Sequence, residues 1–153
     1  MLDSCLKHHQ PRAEKKEITL EVQTPTDVMV YAETEGVRQI LDNLIDNAIK
    51  YTPEQGGVQI DIKIQNEQVL LKVQDSGIGI PEAHLQRIFE RFYRVDKARS
   101  RELGGTGLGL SIVKHLVNAF GGTVDVTSKP DEGTAFIVTL PLATGRQTAI
   151  AAG

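Results

Sequence analysis

The chain has 153 residues, of which 40% are apolar and 24% charged, the profile of one ordinary globular domain and not of a disordered, collagen-like or rod-forming sequence. A formal net charge of −3 disfavours nucleic-acid binding through bulk positive charge, and the single Cys5 permits no internal disulfide and suits a reducing compartment. Four scattered histidines offer no zinc-type cluster, no apolar run approaches the roughly 18 residues of a membrane span, and the polar start is unlike a signal peptide, so a cytoplasmic single-domain protein is expected.

Residues 1–16 are polar, interrupted by Pro11, and read as the frayed end of a helix followed by a linker. Ile18, Leu20 and Val22 alternate with Thr19 and Glu21, the period of a half-buried strand, and residues 28–31 predict a second short one. From Thr34 the period lengthens. Val37, Ile40, Leu41, Leu44, Ile45, Ala48 and Ile49 recur at helical spacing until Pro53 and Gly56-Gly57 stop the pattern. Val58, Ile60, Ile62 and Ile64 then alternate, Asn66-Glu67 turns the chain, and residues 69–73 return as the second strand of a hairpin. A loop over 75–81 leads to a short helix expected from 82 to about 89.

The stretch 87–102 carries a local charge of +3 against the acidic whole. Gly104 to Gly109 opens a further helix that runs to about 119, and strands are expected at 123–127 and 134–140. The last residues, 143–153, are small and polar and read as a disordered tail. This order predicts an α+β domain at 17–142: a two-layer α/β sandwich with a mixed, mostly antiparallel sheet of about five strands and about three helices on one face.

Eight of the fourteen glycines fall between Gly77 and Gly122. Such clustering marks backbone that bends sharply or approaches a ligand closely, and three features surround it. At about 100° per residue, Asn43, Asn47 and Lys50 share one stripe of the long helix, with Tyr51 beside it. An amide oxygen can coordinate a hard cation and a lysine can neutralise phosphate, although a solvated helix face accounts for the stripe equally well. Asp75 ends a strand and enters a Gly77-x-Gly79 turn. Its carboxylate could accept from the exocyclic amine of a base while the glycines let a flat ring approach, or it could simply initiate a turn. Gly105-Thr106-Gly107-Leu108-Gly109 places backbone N–H groups at a helix start, an anion cradle. It lacks the Gly-Lys-Ser/Thr ending of a Walker A loop, and its glycine spacing is one short of the dinucleotide fingerprint. Phe89 and Phe92 sit beside the basic stretch, as anchors of a lid or as core aromatics. The histidines read as surface or satisfied residues.

Taken in order, these segments resemble the catalytic, ATP-binding domain of sensor histidine kinases, in the wider group that includes the ATPase domains of gyrase, a heat-shock chaperone and a mismatch-repair protein. Leu41-Asp42-Asn43-Leu44-Ile45-Asp46-Asn47-Ala48-Ile49-Lys50-Tyr51-Thr52 is similar to the family's N box, residues 75–80 to its first glycine box, residues 88–93 to its F box, and residues 105–110 to its second glycine box. Gly133-Thr134-Ala135-Phe136 resembles the last box, with Asp131 where a glycine is frequent. The run 92–115 is most similar to phosphate-regulon-type sensor kinases.

The resemblance implies a Bergerat ATP-binding fold and Mg-ATP as the ligand. Asn47 would hold Mg²⁺, Asn43 and Lys50 would face the phosphates, and Tyr51 would line the nucleotide. Asp75 would read the adenine amine, with Thr134 nearby through water, and Gly77, Gly79, Ile80 and Phe92 would complete the nucleotide pocket. The amides of Gly105, Gly107, Leu108 and Gly109 would cradle phosphate, and one of Arg94, Arg99 and Arg101 would be the lid's phosphate partner. Hydrolysing members carry a glutamate at the place of Asn43; an amide cannot take a proton from water. Phosphoryl transfer to a histidine elsewhere is therefore expected rather than hydrolysis. The family's acceptor motif is absent, so residues 1–16 read as a linker from missing dimerisation and phosphoacceptor helices, with a response regulator as downstream partner and the fragment itself a monomer. A gyrase-like hydrolase and a non-catalytic nucleotide-sensing module are the competing readings.

Overall fold

The computed structural model describes residues 1–25, 28–30, 32–96, 98, 102, 105–143 and 148–151. Its spine is a hairpin, β3 (Gly57–Gln65) and β4 (Gln68–Asp75), turning at Asn66 and Glu67. Both turn residues have positive φ, 51° and 58°, which a two-residue turn needs in order to follow the right-handed twist of the strands. β1 (Thr19–Gln23) joins β3 in parallel, and β6 (Gly133–Pro141) and β5 (Thr123–Lys129) extend the other side antiparallel, giving the order β1-β3-β4-β6-β5. The expected five-stranded mixed sheet is thus borne out.

Alternation decides which face is covered. Val58, Ile60 and Ile62, Val69, Leu71 and Val73, and Phe136, Val138 and Leu140 are all buried, each set at period two on its strand. Against them lie α2 (Thr34–Tyr51) and α3 (Gly109–Ala119), which also pack on each other. α2 buries the stripe running from Val37 to Ile49 at helical spacing, as its sequence requires.

Three expectations are corrected. First, residues 2–15 form a continuous helix, α1 (Leu2–Lys15), where a frayed helix end was expected. Leu2, Cys5, His9 and Ala13 make its buried stripe, whose period is hidden in the sequence because a histidine occupies a core position. Pro11 forfeits one backbone hydrogen bond inside that helix, and docking on α2 offsets it. Second, the tail holds a strand. β7 (Thr148–Ala151) pairs antiparallel with β2 (Val28–Val30), and Ile150 is fully buried. Its pattern is unreadable alone because its partner lies more than a hundred residues earlier. Third, the segment expected as a helix at 82–89 is a single 3₁₀ turn, Glu82–His84, followed by successive i→i+3 bonds such as Arg87 N–H to His84 O and Glu90 N–H to Arg87 O. Of the strand expected at 28–31, residues 28–30 are β2, and Tyr31 lies outside the described residues, as do Arg99, Arg101 and Gly104. No helix among the described residues is long and apolar enough to cross a membrane.

Candidate functional site

The two central strands end together. Asp75 of β4 and Thr134 of β6 are register partners. Asp75 continues the inward alternation of Val69, Leu71 and Val73, so its carboxyl lies on the covered face at 5% exposure. Gly77 N–H donates to its Oδ1 at 2.8 Å and Thr134 N–H to the same oxygen at 3.2 Å. Burial pushes this carboxyl above the ordinary aspartate value, partly offset by those two backbone donors. Beside it, Ser128 donates its one hydroxyl proton to Gly133 O (2.9 Å) and accepts from Ile80 N–H (2.7 Å), so its 2.8 Å contact with Thr134 Oγ1 makes threonine the donor. The lone pairs of Thr134 are left toward the cleft.

The loop after Asp75 is stitched down on both sides: Ile78 N–H to Tyr51 O at 3.2 Å, and Asp131 N–H to Ile78 O at 2.7 Å. Gly79 (φ +72°) lies so close to the Lys129 carbonyl that a Cβ would collide with it. Gly77 is against Tyr51 O and the Asp75 carboxyl, so it serves this internal packing and does not line the cleft as expected.

α2 forms one wall with Asn43, Asn47, Lys50 and Tyr51, all half-buried, as its stripe predicts. One residue of that wall was not anticipated. Asp46 lines the cleft as well; its carboxylate pairs with Lys50 Nζ at 2.8 Å and, on its other side, with Arg12 of α1. Burial opposes its charge, but hydrogen bonds from Lys50 and Arg12 outweigh burial and hold it below the usual carboxylate range.

The opposite wall is the start of α3. Gly105, Thr106, Gly107, Leu108 and Gly109 line it, and the first turn of α3 directs its N–H groups, with the positive end of the helix dipole, into the same space. Gly107 (φ +75°) is pinned by Phe92 N–H, which donates to its carbonyl at 2.7 Å; a Cβ on Gly107 would lie 2.8 Å from Phe92 Cα. A Cβ on Gly109 would lie 3.1 Å from Asn43 Oδ1, so the cradle and the amide wall touch.

The segment between the walls divides its aromatics. Phe89 goes inward, edge-on to Phe136 with centroids 6.0 Å apart, while Phe92 is 63% exposed and is the second expected site residue that does not line the cleft. Its contribution is the backbone tie to Gly107. Tyr93 faces the cleft, held by His84 and by the Arg87 guanidinium 4.5 Å over its ring. Arg94 donates from Nη2 to Gly105 O at 2.7 Å.

These walls enclose a cleft of about 310 Å³. Among the described residues, all the expected ones line it apart from Gly77 and Phe92, while Arg99 and Arg101 lie outside the described residues. The sequence reading missed Asp46 and Asp96 and the apolar surface of Ile78, Ile88, Val95, Leu110 and Ile112. The apolar members carry no chemical signature, since isoleucine and leucine beside glycine motifs look like any core. Among the described residues no three His, Cys, Asp or Glu side chains converge as a metal cage.

The fold is that of histidine kinase catalytic domains. The solved catalytic domain of histidine kinase ThkA is 29% identical with a TM-score of 0.80, covering 92% of this chain and 91% of that one. Full-length ShkA, solved in complex with AMPPNP, is 33% identical with a TM-score of 0.81 and covers 95% of this chain and 30% of its own. ThkA has also been solved with the response regulator protein TrrA. Residues 32–144 match the family described as histidine kinase-, DNA gyrase B-, and HSP90-like ATPase, and the chain belongs to that family. Sensor histidine kinase WalK of Bacillus subtilis is 49% identical over 117 residues, 75% of this chain and 19% of WalK. The chain spans 19–37% of the length of three such curated relatives.

Proposed function

We propose that this domain binds Mg-ATP and presents the γ-phosphoryl group to a histidine on a separate dimerisation and phosphoacceptor domain, as the catalytic part of a cytoplasmic two-component sensor kinase that signals to a response regulator. The observation that carries the reading is the meeting, in one cleft, of a buried carboxylate on its floor at the sheet end and a helix N-terminus on one wall, facing amides and an ammonium on the other. A flat base bearing an exocyclic amine fits the first, and phosphates fit the second.

In this reading Asp75 accepts from the adenine amine through Oδ2, since its backbone bonds fall on Oδ1. Thr134 accepts beside it, directly or through water. Ile78, Ile80, Ile88 and Tyr51 enclose the ring, and the amides of Gly107, Leu108 and Gly109 meet phosphate oxygens. Lys50 supplies the positive charge on the α2 side, and Arg94 on the other if it leaves the Gly105 carbonyl. The donor set suits magnesium: with no carboxylate cage among the described residues, the ion would be held chiefly by phosphate oxygens and water, with the Asn47 amide oxygen as the protein ligand. Mg²⁺ would neutralise phosphate charge. The domain's own work is positioning and charge complementarity, which is most of what phosphoryl transfer requires.

Asn43 separates transfer from hydrolysis, since an amide beside the phosphates cannot deprotonate water. The test is a calorimetric titration with ATP, with and without Mg²⁺, followed by incubation of the loaded domain with a phosphoacceptor domain from a sensor kinase. Binding that tightens with Mg²⁺, and acid-labile phosphate on the acceptor, are expected. An unlabelled acceptor beside an occupied ATP site would overturn the kinase reading.

A further inference from the structure

Lys50, the ammonium of the α2 wall, is not free. Its Nζ lies 2.8 Å from Asp46 Oδ2, one turn earlier on the same helix. Asp46 is the only carboxylate that α2 contributes to the cleft, and a carboxylate there opposes phosphate twice, by repelling it and by occupying the lysine that should meet it. The sequence contains its counterweight 34 residues away: Arg12, on α1 and outside the cleft, pairs with Asp46 Oδ1. The two cations thus take different oxygens of one carboxylate, Arg12 from outside and Lys50 from inside. Four residues on, Lys16 at the end of α1 donates to Ile49 O (2.7 Å) and Lys50 O (3.4 Å), so α1 grips the stretch of α2 that carries Lys50 at two points.

We propose that Arg12 is a specificity-determining residue for the phosphates of the nucleotide: by neutralising Asp46 from outside the cleft it releases Lys50 to the ligand and makes phosphate affinity depend on the docking of α1. The proposal rests on the reading that Lys50 meets phosphate. Without Arg12, the full charge of Asp46 faces the cleft and holds Lys50 alone. Without the Asp46 charge, Arg12 has nothing to neutralise. The base-binding end, at Asp75 and Thr134, lies on other elements and is indifferent to both.

The test is a double-mutant cycle read by calorimetry with two probes, ATP and adenosine, at low salt, where a half-exposed pair is least screened. Arg12→Ala is expected to weaken ATP about 3- to 5-fold, the upper range for a pair of this exposure, and to leave adenosine unchanged. Arg12→Lys, which keeps the charge, stays near the parent. Asp46→Asn binds ATP more tightly than the parent, and adding Arg12→Ala to it causes no further loss. Equal ATP affinity in Arg12→Ala and parent overturns the proposal, as does an Arg12→Ala loss that persists in the Asp46→Asn background, or one that falls on ATP and adenosine alike. Lys50→Ala distinguishes the underlying reading: if that variant keeps parental ATP affinity, Lys50 does not meet phosphate and both readings fall, whereas a Lys50-dependent site insensitive to Arg12 overturns this inference alone.

Discussion

Asp75 carries two functions on two oxygens, and substitutions can separate them. Oδ1 accepts from Gly77 and Thr134, a purely structural task, and Oδ2 is the oxygen left to a ligand. Asp75→Asn keeps an acceptor for the two backbone groups if its amide oxygen takes the Oδ1 place, and then turns an NH₂ toward the adenine amine, donor against donor. We expect ATP affinity to fall roughly 10- to 100-fold, the worth of one charge-assisted bond, with a nearly unchanged melting temperature. Asp75→Ala additionally strands two N–H groups and should cost about 2–4 kcal/mol of stability by chemical denaturation. Because burial raises this carboxyl, it protonates above the ordinary aspartate pH, near 4. Binding needs the ionised form, so affinity should decline on acidification from a higher pH than an exposed aspartate would give, and Asp75→Asn should lack that limb. Asp75 was legible because a carboxylate, a strand end and a Gly-x-Gly turn coincide within five residues. Asp46 was not, although it sits on the same face of α2 as the residues that were singled out: a charge one turn from a lysine reads as a solvated pair, and its second partner, Arg12, has no sequence relation to it.

At the scale of elements, those with local periodicity were legible and those that depend on distant partners were not. α2 and the β3–β4 hairpin announce themselves through spacings of four and two and through a turn of the right length. β7 becomes a strand only because β2 offers an edge, and α1 conceals its stripe behind His9. That histidine makes α1 testable. His9 is buried at 4% exposure, its Nε2 lies 3.1 Å from Asp42 Oδ1, and its Nδ1 has no partner among the described residues. Desolvation lowers its pKa, while Asp42 and, more weakly, Asp46 oppose that fall and His8 adds to it. A histidine depressed in the folded state stabilises the fold fully above its unfolded value, about 6.5, and loses that contribution as pH falls through the lower folded value. The melting temperature should therefore drop between pH 7.5 and pH 5. In His9→Gln the amide can still donate to Asp42 from the Nε2 position but cannot titrate, so that part of the drop should vanish. An identical pH slope in parent and variant would show that α1 docking does not depend on His9 protonation.

On the scale of the whole molecule, the cleft has no scaffold of its own: its floor is the end of β4 and β6, its walls are α2 and the start of α3, and its rim is the turn-rich segment between them. A ligand that touches all of these ties together residues 43 to 134, so binding should register as global stability. At a hundredfold excess over its dissociation constant, Mg-ATP adds about 2.7 kcal/mol, or roughly 5–10 °C in melting temperature for a domain of this size. The same arrangement sets what happens to the bound nucleotide. The α2 wall offers amides at Asn43 and Asn47, an ammonium at Lys50 and one carboxylate, Asp46, already engaged by two cations. Asp75, the buried carboxylate, is committed to the base end. None of these is a free base beside the phosphates, and Asp96, the remaining carboxylate among the described residues of the cleft, belongs neither to the α2 wall nor to the sheet end. With an amide at Asn43, which cannot deprotonate water, the loaded domain should release ADP scarcely faster than ATP decays in buffer, and Asn43→Ala should remove no substantial hydrolysis. Brisk turnover by the domain alone, abolished by Asn43→Ala, would place the chain with the hydrolysing members of its family. If ADP instead accumulates only once a phosphoacceptor domain is added, in step with phosphate on its histidine, the missing nucleophile belongs to that domain and the cleft's task is to hold the triphosphate in place until it arrives.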